Sequence, residues 1–416
     1  MSLVKTQATA EVYIISLPLF LSSKTTHLNS NACKSANNMK IYLDNAATTA
    51  IDKDVLATML PLLEENFGNP SSTHWHGRQV RSLIEKSRKT IAELLNTTPS
   101  EIFFTSGGTE ADNTAICGAI HTFHLKHAIS TKIEHHAVEH TLLERKKRGK
   151  IDISYLDLDE KGNINLAQLE EFLDKNPKSL VSLMHANNEI GNLMPLAEIG
   201  ALCKHYGAYF HSDTVQTMGH FAHNLKELNI DYLVGAAHKF HGPKGIGFLY
   251  VNAKSKINPF ITGGAQERNM RGGTENIYGI IGVAKALEIA YKEMDAHKNH
   301  ILSLKKRMID SLKAQISDIR FNGESGNLEN SLYTVLNVSL PENKDNDMLL
   351  FNLDIAGISA SGGSACSSGA EAGSHVLAGI KHPRERAAVR FSFSKYNTIE
   401  EIDYTVKTLA AMFEAK

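Results

Sequence analysis

The sequence predicts an α/β protein with a large, doubly wound and mostly parallel sheet, followed by a smaller α+β domain. From residue 40 onward, short apolar runs typical of strands alternate with segments of helical periodicity. Beyond about residue 281 the pattern changes to one long Lys- and Glu-rich helix, then isolated strands and a last helix. Strands that alternate with helices favour a parallel sheet, because each return of the chain passes through a helix.

The elements are predicted in chain order from their apolar patterns. A strand-like run at 40–44 opens the series, and apolar residues of helical spacing (Val80, Leu83, Ile84, Ile91, Leu94 and Leu95) predict the first well-defined helix. Strands are predicted at 101–106, 127–131, 153–159, 180–185, 208–213, 232–235, 247–251, 335–340 and 389–393. One continuous helix is predicted over 281–308. Thr398 and Glu401 form a capping-box pair for a last helix, whose apolar stripe is Ile402, Val406, Leu409 and Phe413.

The pattern divides the chain into a leader and two domains. Residues 52–295 are predicted to form the large domain, and 39–51 with 296–416 the small one. Residues 1–38 are interpreted as an upstream extension before Met39, with export or organelle targeting as the alternative. Their apolar run at 12–21 is too short to span a membrane.

Composition excludes several classes of function. Among 416 residues, 44 Lys and Arg stand against 45 Asp and Glu, a formal net charge of −1. This balance argues against a nucleic-acid binder that depends on bulk positive charge, and no membrane partner is expected. Four scattered cysteines without C-x-x-C spacing exclude a disulfide framework and a zinc ribbon, so a reducing, cytoplasmic setting is predicted.

Polar residues follow four of the predicted strands, where ligands bind in doubly wound sheets. They are Gly108 and Thr109 after 101–106, Asn188 after 180–185, Asp213 and Gln216 at the end of 208–213, and His238 and Lys239 after 232–235. Because the carboxyl ends of parallel strands share one edge, we expect these side chains to converge.

Asp213 and Lys239 together suggest pyridoxal phosphate. This cofactor needs a lysine for a Schiff base, a carboxylate for its pyridine nitrogen and an anion site for its phosphate. The Gly108–Thr109 turn before a helix offers such an anion site, whereas a Walker A and a G-x-G-x-x-G sequence are absent. Taken singly, an aspartate at a strand end is usually a cap or turn residue, and a lysine in a His-Lys pair is usually solvated.

The twenty histidines do not predict a metal centre. His121, His124 and His127 recur every three residues and His136 and His140 are four apart, but the H-E-x-x-H pattern is absent. We therefore interpret the first group as surface histidines and expect no resident metal. His135 follows the strand at 127–131, where its imidazole could stack on a cofactor ring.

One cysteine differs from the others in its surroundings. Residues 360–373 (ASGGSACSSGAEAG) consist of alanine, serine and glycine apart from Cys366 and Glu371. Such a loop has no apolar side chains to bury a thiol, so Cys366 is predicted to be reactive and delivered by a mobile segment. Cys117 and Cys203 lie in helical patterns and are predicted to be core residues.

Taken in order, the motifs resemble those of the NifS/IscS-type cysteine desulfurases, which are class-V aminotransferases of pyridoxal phosphate fold type I. The matching segments are LDNAATT (43–49), FGNPSS (67–72), FFTSGGTEADN (103–113), EHHAV (134–138), MHANNEIG (184–191), HSDTVQT (211–217), HKFHGPKG (238–245), MRGGTEN (270–276), SGGSACSSG (361–369) and RFSFSKYNTIEEID (390–403). The resemblance covers essentially 40–413.

The resemblance implies that Lys239, His135 and Cys366 are catalytic in the conversion of L-cysteine to L-alanine, with sulfur carried as a Cys366 persulfide to an acceptor for iron–sulfur clusters or thiocofactors. It implies that Asp213 pairs with the pyridine nitrogen and His135 stacks on the ring. Gly108, Thr109 and His238 hold the phosphate, with Thr274 contributed by the other subunit of a homodimer. Gln216 and Asn188 bind the ring oxygen or the substrate, and Arg390 binds the substrate carboxylate. Cys366 could also transiently ligate an iron–sulfur cluster of a scaffold protein.

The sequence departs from the family pattern at Ala236, where many relatives have a serine, and at Ser394–Lys395. It also stops soon after its last helix, which leaves the acceptor undefined. The alternative activity is that of a selenocysteine lyase or another class-V enzyme. A non-catalytic sulfur carrier and a metal hydrolase are the rivals from other classes.

Overall fold

The computed structural model describes residues 40–344, 346–362 and 373–413. Helices in these residues are α1 Lys53–Glu65, α2 Trp75–Leu94, α3 Gly108–Thr122, α4 His136–Lys147, α5 Leu166–Lys175, α6 Leu196–Tyr206, α7 Ile277–Lys292, α8 Met294–Gln315, α9 Leu349–Ile355, α10 His375–Gly379 and α11 Ile399–Ala411. Strands are β1 Ile41–Tyr42, β2 Ile102–Thr105, β3 His127–Ser130, β4 Asp152–Tyr155, β5 Leu180–Ser182, β6 Tyr209–Asp213, β7 Tyr232–Ala236, β8 Gly247–Val251, β9 Arg320–Phe321, β10 Val335–Ser339, β11 Ile358–Ser359 and β12 Ala388–Ser392.

The large sheet has seven strands in the order β2-β8-β7-β6-β5-β3-β4. Strand β8 pairs antiparallel with both β2 and β7, and the other neighbours pair parallel. Strands β2, β7, β6, β5 and β3 therefore run in one direction, and their carboxyl ends meet at one edge. The predicted mostly parallel, doubly wound sheet is confirmed.

Both faces of this sheet are buried. In β2, Ile102 and Phe104 belong to one apolar cluster, whereas Phe103 belongs to a second cluster. In β7, Leu233 belongs to the first cluster and Tyr232 to the second. Side chains of a strand alternate between faces, so each cluster lies on its own side of the sheet. This explains why the strands read as continuous apolar runs rather than alternating ones.

Two small sheets contain the remaining strands. Strands β12, β10 and β9 form an antiparallel sheet, and β1 pairs parallel with β11. Asp44, just after β1, bridges to Ser392 at the end of β12. The amino-terminal run thus pairs with the carboxyl-terminal part of the chain, while the proposed boundaries at residues 52 and 295 stay a prediction.

The predicted continuous helix over 281–308 is wrong. Glu293 leaves helical geometry (φ −109°, ψ 13°) and separates α7 from α8. The two helices pack on different partners, α7 on α1 and α2 and α8 on α11, which a local pattern does not reveal. The last helix is confirmed, with the Thr398–Glu401 capping box in place.

A helix that spans a membrane is long and predominantly apolar. No helix in the described part of the chain is long and apolar enough to cross a bilayer.

Candidate active site

A cavity of about 230 Å³ lies at the shared carboxyl edge of the large sheet. Nine of the residues singled out from the sequence line it: Gly108, Thr109, His135, Asn188, Asp213, Gln216, His238, Lys239 and Arg390. These residues lie in or shortly after five strands, namely β2, β5, β6, β7 and β12, except His135, which directly precedes α4. The structure thus brings together side chains that are up to 282 residues apart (390 − 108).

The anion end of the cavity is the first turn of α3. Gly108 opens that helix, whose first backbone N–H groups have no carbonyl partner within the helix and carry its positive dipole end. A Cβ at Gly108 would lie 2.8 Å from Val215 Cγ2, so only glycine lets the turn approach this close. Together these features form a site suited to a phosphate.

His238 contributes a neutral imidazole beside this turn. Its Nδ1 lies 3.2 Å from Thr48 Oγ1. Burial, with Lys239 and Lys244 nearby, lowers the pKa of His238 to about 4. The ring is therefore a hydrogen-bonding group at neutral pH rather than a cation.

Lys239 lies one short helical turn beyond β7 and reaches back across the cavity. Its Nζ donates hydrogen bonds to Ala46 O (2.5 Å) and Ala47 O (2.8 Å). Gln216 Nε2 donates to the same Ala46 carbonyl at 3.0 Å. The segment after β1 therefore orients both side chains, which sequence reasoning did not foresee.

Asp213 ends β6 with 7% of its surface exposed, and its Oδ1 accepts a hydrogen bond from Val215 N at 2.9 Å. Behind it, Asp112 Oδ1 lies 3.2 Å from His211 Nε2 without hydrogen-bond geometry. Burial, then Asp213 and Glu134, raise the pKa of Asp112, and burial lowers the pKa of His211 to about 3. The raised pKa of Asp112 and the lowered pKa of His211 both favour the uncharged form of the side chain.

His135 is the N-cap of α4, and its Nδ1 accepts a hydrogen bond from Ala137 N at 3.2 Å. Burial lowers the pKa of His135, with Lys239 among the neighbouring charges. An accepting Nδ1 places the proton of the neutral ring on Nε2. The imidazole is thus a fixed, uncharged ring at the cavity wall.

Arg390 lies in β12 of the three-stranded sheet and lines the same cavity. Its Nη1 donates to Asn188 O (3.0 Å) and its Nη2 to Asp44 Oδ1 (2.7 Å). The residue is 1% exposed, and its Nε has no hydrogen-bond partner among the described residues. A buried guanidinium with an unused donor suits a carboxylate ligand.

One predicted residue lies elsewhere. Thr274 is exposed and lines a different cavity with Arg271 and Asn276, so it does not contribute to the site of its own chain. Cys366 lies outside the described residues. Cys117 and Cys203 are buried, as predicted, and burial raises the pKa of both thiols.

The sequence reasoning missed Asp44, Ala46 and Ala47 as contributors to the site. The signal available was the position of Asp44 at the end of the strand-like run 40–44, within the quoted segment 43–49. No role followed from it, because its partner Arg390 is 346 residues away.

The donor set fits pyridoxal phosphate. Gly108 and Thr109 begin a helix suited to the phosphate, Asp213 is a carboxylate for the ring nitrogen, and Lys239 is an amine within the same cavity. The unpaired Nε of Arg390 is a further donor for an anionic group.

Comparison with known proteins agrees with this chemistry. Residues 41–405 match the family described as aminotransferase class-V, and the chain belongs to that family. Members of this family use pyridoxal phosphate, so the predicted cofactor and enzyme class are confirmed.

The names of individual relatives and solved structures are more specific than the description of the family. The cysteine desulfurase IscS of Dictyoglomus turgidum is 43% identical over 90% of this chain and 95% of its own length. A solved structure titled NifS-like protein is 36% identical, with a TM-score of 0.82 over 90% of this chain and 99% of its own. A structure of SspA in complex with cysteine is 30% identical, with a TM-score of 0.74 over 86% of this chain and 100% of its own. The resemblance identified from the motifs is confirmed.

Proposed function

We propose that the protein is a pyridoxal phosphate-dependent cysteine desulfurase that converts L-cysteine to L-alanine and passes the sulfur to an acceptor. One observation carries the proposal: Lys239, Asp213, His135 and Arg390 line one cavity beside a helix start suited to a phosphate. Relatives named cysteine desulfurase, at 43% and 41% identity over about nine tenths of the chain, support the choice of substrate.

In this proposal each side chain has a defined task. The bound cofactor supplies an electron sink that makes the substrate Cα–H acidic. Lys239 Nζ would remove that proton and later return one, and Asp213 would hold the ring nitrogen of the cofactor. His135, whose imidazole is fixed by the hydrogen bond from Ala137, would hold the cofactor ring. Arg390 holds the substrate carboxylate through its guanidinium fork.

Cys366 is the proposed sulfur carrier. Its thiolate attacks the sulfur of the substrate, an S–S bond forms and the Cβ–S bond breaks, with the electron pair passing to Cβ. Cβ then takes a proton, so L-cysteine and one enzyme thiol become L-alanine and one enzyme persulfide. The substrate sulfur is oxidised and Cβ is reduced, and no external oxidant is needed.

We further propose that the active unit is a homodimer. Thr274 is exposed and outside the cavity of its own chain, as expected of a residue that serves the partner's site. Leu56, Leu60 and Leu63 of α1 are each more than 40% exposed. An apolar row of this kind on a helix supports an interface.

The destination of the sulfur is proposed from the relatives. A protein or scaffold that assembles iron–sulfur clusters, or a thiocofactor pathway, would accept it by contact with the residues around Cys366. A cytoplasmic location suits a persulfide, which a reducing compartment keeps exchangeable.

The test measures alanine and sulfide from L-cysteine with dithiothreitol, and mass spectrometry seeks one extra sulfur on Cys366. Lys239→Ala is expected to abolish turnover and the yellow colour of the cofactor-loaded protein. Cys366→Ala is expected to keep the colour and lose the persulfide, with only residual turnover.

Cys117→Ala is the matched control, because Cys117 is a buried helical cysteine outside the cavity. It should leave turnover and the persulfide unchanged. Wild-type turnover of L-cysteine by Cys366→Ala would contradict the proposal and favour the selenocysteine lyase-type alternative. A colourless wild-type protein that binds no pyridoxal phosphate would contradict it outright.

A further inference from the structure

Three potential metal ligands occupy one face of α4 at its amino end. His136, Glu139 and His140 are spaced i, i+3 and i+4, which places them next to one another on a helix. Their ligand atoms all lie within 4.8 Å of one another. The order H-x-x-E-H is that of the inverted zinc motif, in which the two histidines bind the ion and the glutamate is a general base, so a glutamate ligand here would depart from that motif.

A fourth residue, His375, fixes the protonation of His136. His375 Nε2 lies 2.9 Å from Glu134 O, and because a carbonyl only accepts, this nitrogen carries the proton. Its Nδ1 lies 3.1 Å from His136 Nε2, and a hydrogen bond there has His136 Nε2 as the donor when His375 Nδ1 accepts. His136 Nδ1 is left with an available lone pair, the form that a metal requires. Orientation of a ligand histidine by a second polar group is typical of metal sites.

The two imidazoles of the cluster lie side by side. The rings of His136 and His140 are nearly parallel, with centroids 4.6 Å apart. His140 is exposed and Glu139 retains 19% of its side-chain surface, so both can turn toward a common point. The positive end of the α4 dipole opposes a cation there, and the Glu139 carboxylate offsets that effect.

We propose that His136, Glu139 and His140 bind a divalent transition-metal ion of the zinc class. Two imidazoles and one carboxylate suit such borderline ions, whereas magnesium and calcium prefer oxygen ligands alone. Three protein ligands on a partly exposed helix face leave a fourth position open to solvent. His136 and His140, though not Glu139, line a second cavity, which shares Thr109 and His135 with the cofactor cavity. Nothing in the proposed desulfurase reaction requires this ion.

The test titrates zinc chloride into the cofactor-loaded protein by calorimetry, with cobalt(II) absorption as a second readout. The wild type should bind one equivalent. Glu139→Gln and His140→Ala should each weaken binding by about 100-fold or more, since each removes a direct ligand. His375→Asn should weaken it about 10- to 100-fold, the range for a group that orients a ligand.

Two controls make the result specific. His121→Ala removes an exposed helical histidine outside the cluster, and Cys366→Ser removes the thiol predicted to be reactive. Both should bind zinc as the wild type does. The proposal is overturned if the wild type binds no zinc below millimolar concentration. It is also overturned if binding survives in Glu139→Gln and His140→Ala, or disappears in Cys366→Ser. Circular dichroism and cofactor absorbance of each variant establish that a loss is not a failure to fold.

Discussion

Replacement of Arg390 by lysine tests whether its guanidinium binds the substrate carboxylate. In the structure Nη1 and Nη2 donate to Asn188 O and Asp44 Oδ1, while Nε has no partner among the described residues. Lysine keeps the positive charge but offers one point donor, which Asp44 would attract. The variant therefore loses the planar set of donors proposed to hold the substrate carboxylate, while the net charge of the site is unchanged.

The size of the effect follows from one lost charge-assisted hydrogen bond. Such a bond contributes about 1.5–3 kcal/mol, and about 1.4 kcal/mol corresponds to a tenfold change in rate. We expect kcat/KM for alanine formation from L-cysteine to fall about 10- to 150-fold. Most of the loss should appear in KM, because the carboxylate is bound in the ground state as well as in the transition state.

Arg386→Lys is the matched control. Arg386 is also a buried arginine near β12, but it binds Ser339 and Asp318 and does not line the cavity. Its replacement should lower the free energy of unfolding and leave kcat/KM unchanged. Steady-state assays on both variants, with cofactor content measured by absorbance, separate the two effects. If Arg390→Lys retains kcat/KM within about threefold of the wild type, a difference below 1 kcal/mol, Arg390 does not bind the carboxylate.

Three further predictions concern stability and cofactor binding. Glu267→Gln should lower the free energy of unfolding by about 1–3 kcal/mol, because the buried Arg88 guanidinium then keeps only Glu85 as a charged partner; a loss below about 1 kcal/mol in urea titrations would contradict this. Burial lowers the pKa of Lys305 to about 7 from 10.5, so the unfolded chain binds one more proton between these values and stability rises with pH. Lys305→Met should flatten that rise in unfolding curves from pH 7 to 10, and an unchanged slope would refute the assignment. Gly108→Ala places a Cβ 2.8 Å from Val215 Cγ2 and should weaken pyridoxal phosphate binding by about 1–3 kcal/mol in titrations of the apoprotein, whereas an unchanged Kd would argue against the tight turn.

The sequence predicted the site residues correctly wherever one short segment held the evidence for them. Asp213 ends one strand and Lys239 lies a short turn beyond another, so a strand pattern and the rule for carboxyl ends were enough to place them at one edge. Gly108 was found in the same way, from a glycine turn before a helix. The pairing of Asp44 with Arg390 was not, because it depends on how the small sheets meet the large one.

The ends of helices and the contacts between distant side chains were also not predictable from local sequence patterns. The periodic pattern over 281–308 continues through Glu293, yet tertiary partners end one helix there and begin another. In α4 the spacing of His136, Glu139 and His140 was visible in the sequence, whereas the hydrogen bond from His136 to His375 joins residues 239 apart. Contacts of that separation are set by topology rather than by local pattern.

Burial determines which groups around the cofactor cavity carry charge. It raises the pKa of Glu134 to about 8, as it raises that of Asp112, and the charge of Asp213 raises both further. It lowers the pKa values of His135 and His238, which leaves both imidazoles neutral. The raised pKa values favour the uncharged, protonated forms of the Glu134 and Asp112 carboxyl groups. Because charges interact strongly at low dielectric, neutral neighbours allow Asp213, Lys239 and Arg390 to act on their own ligands without competing.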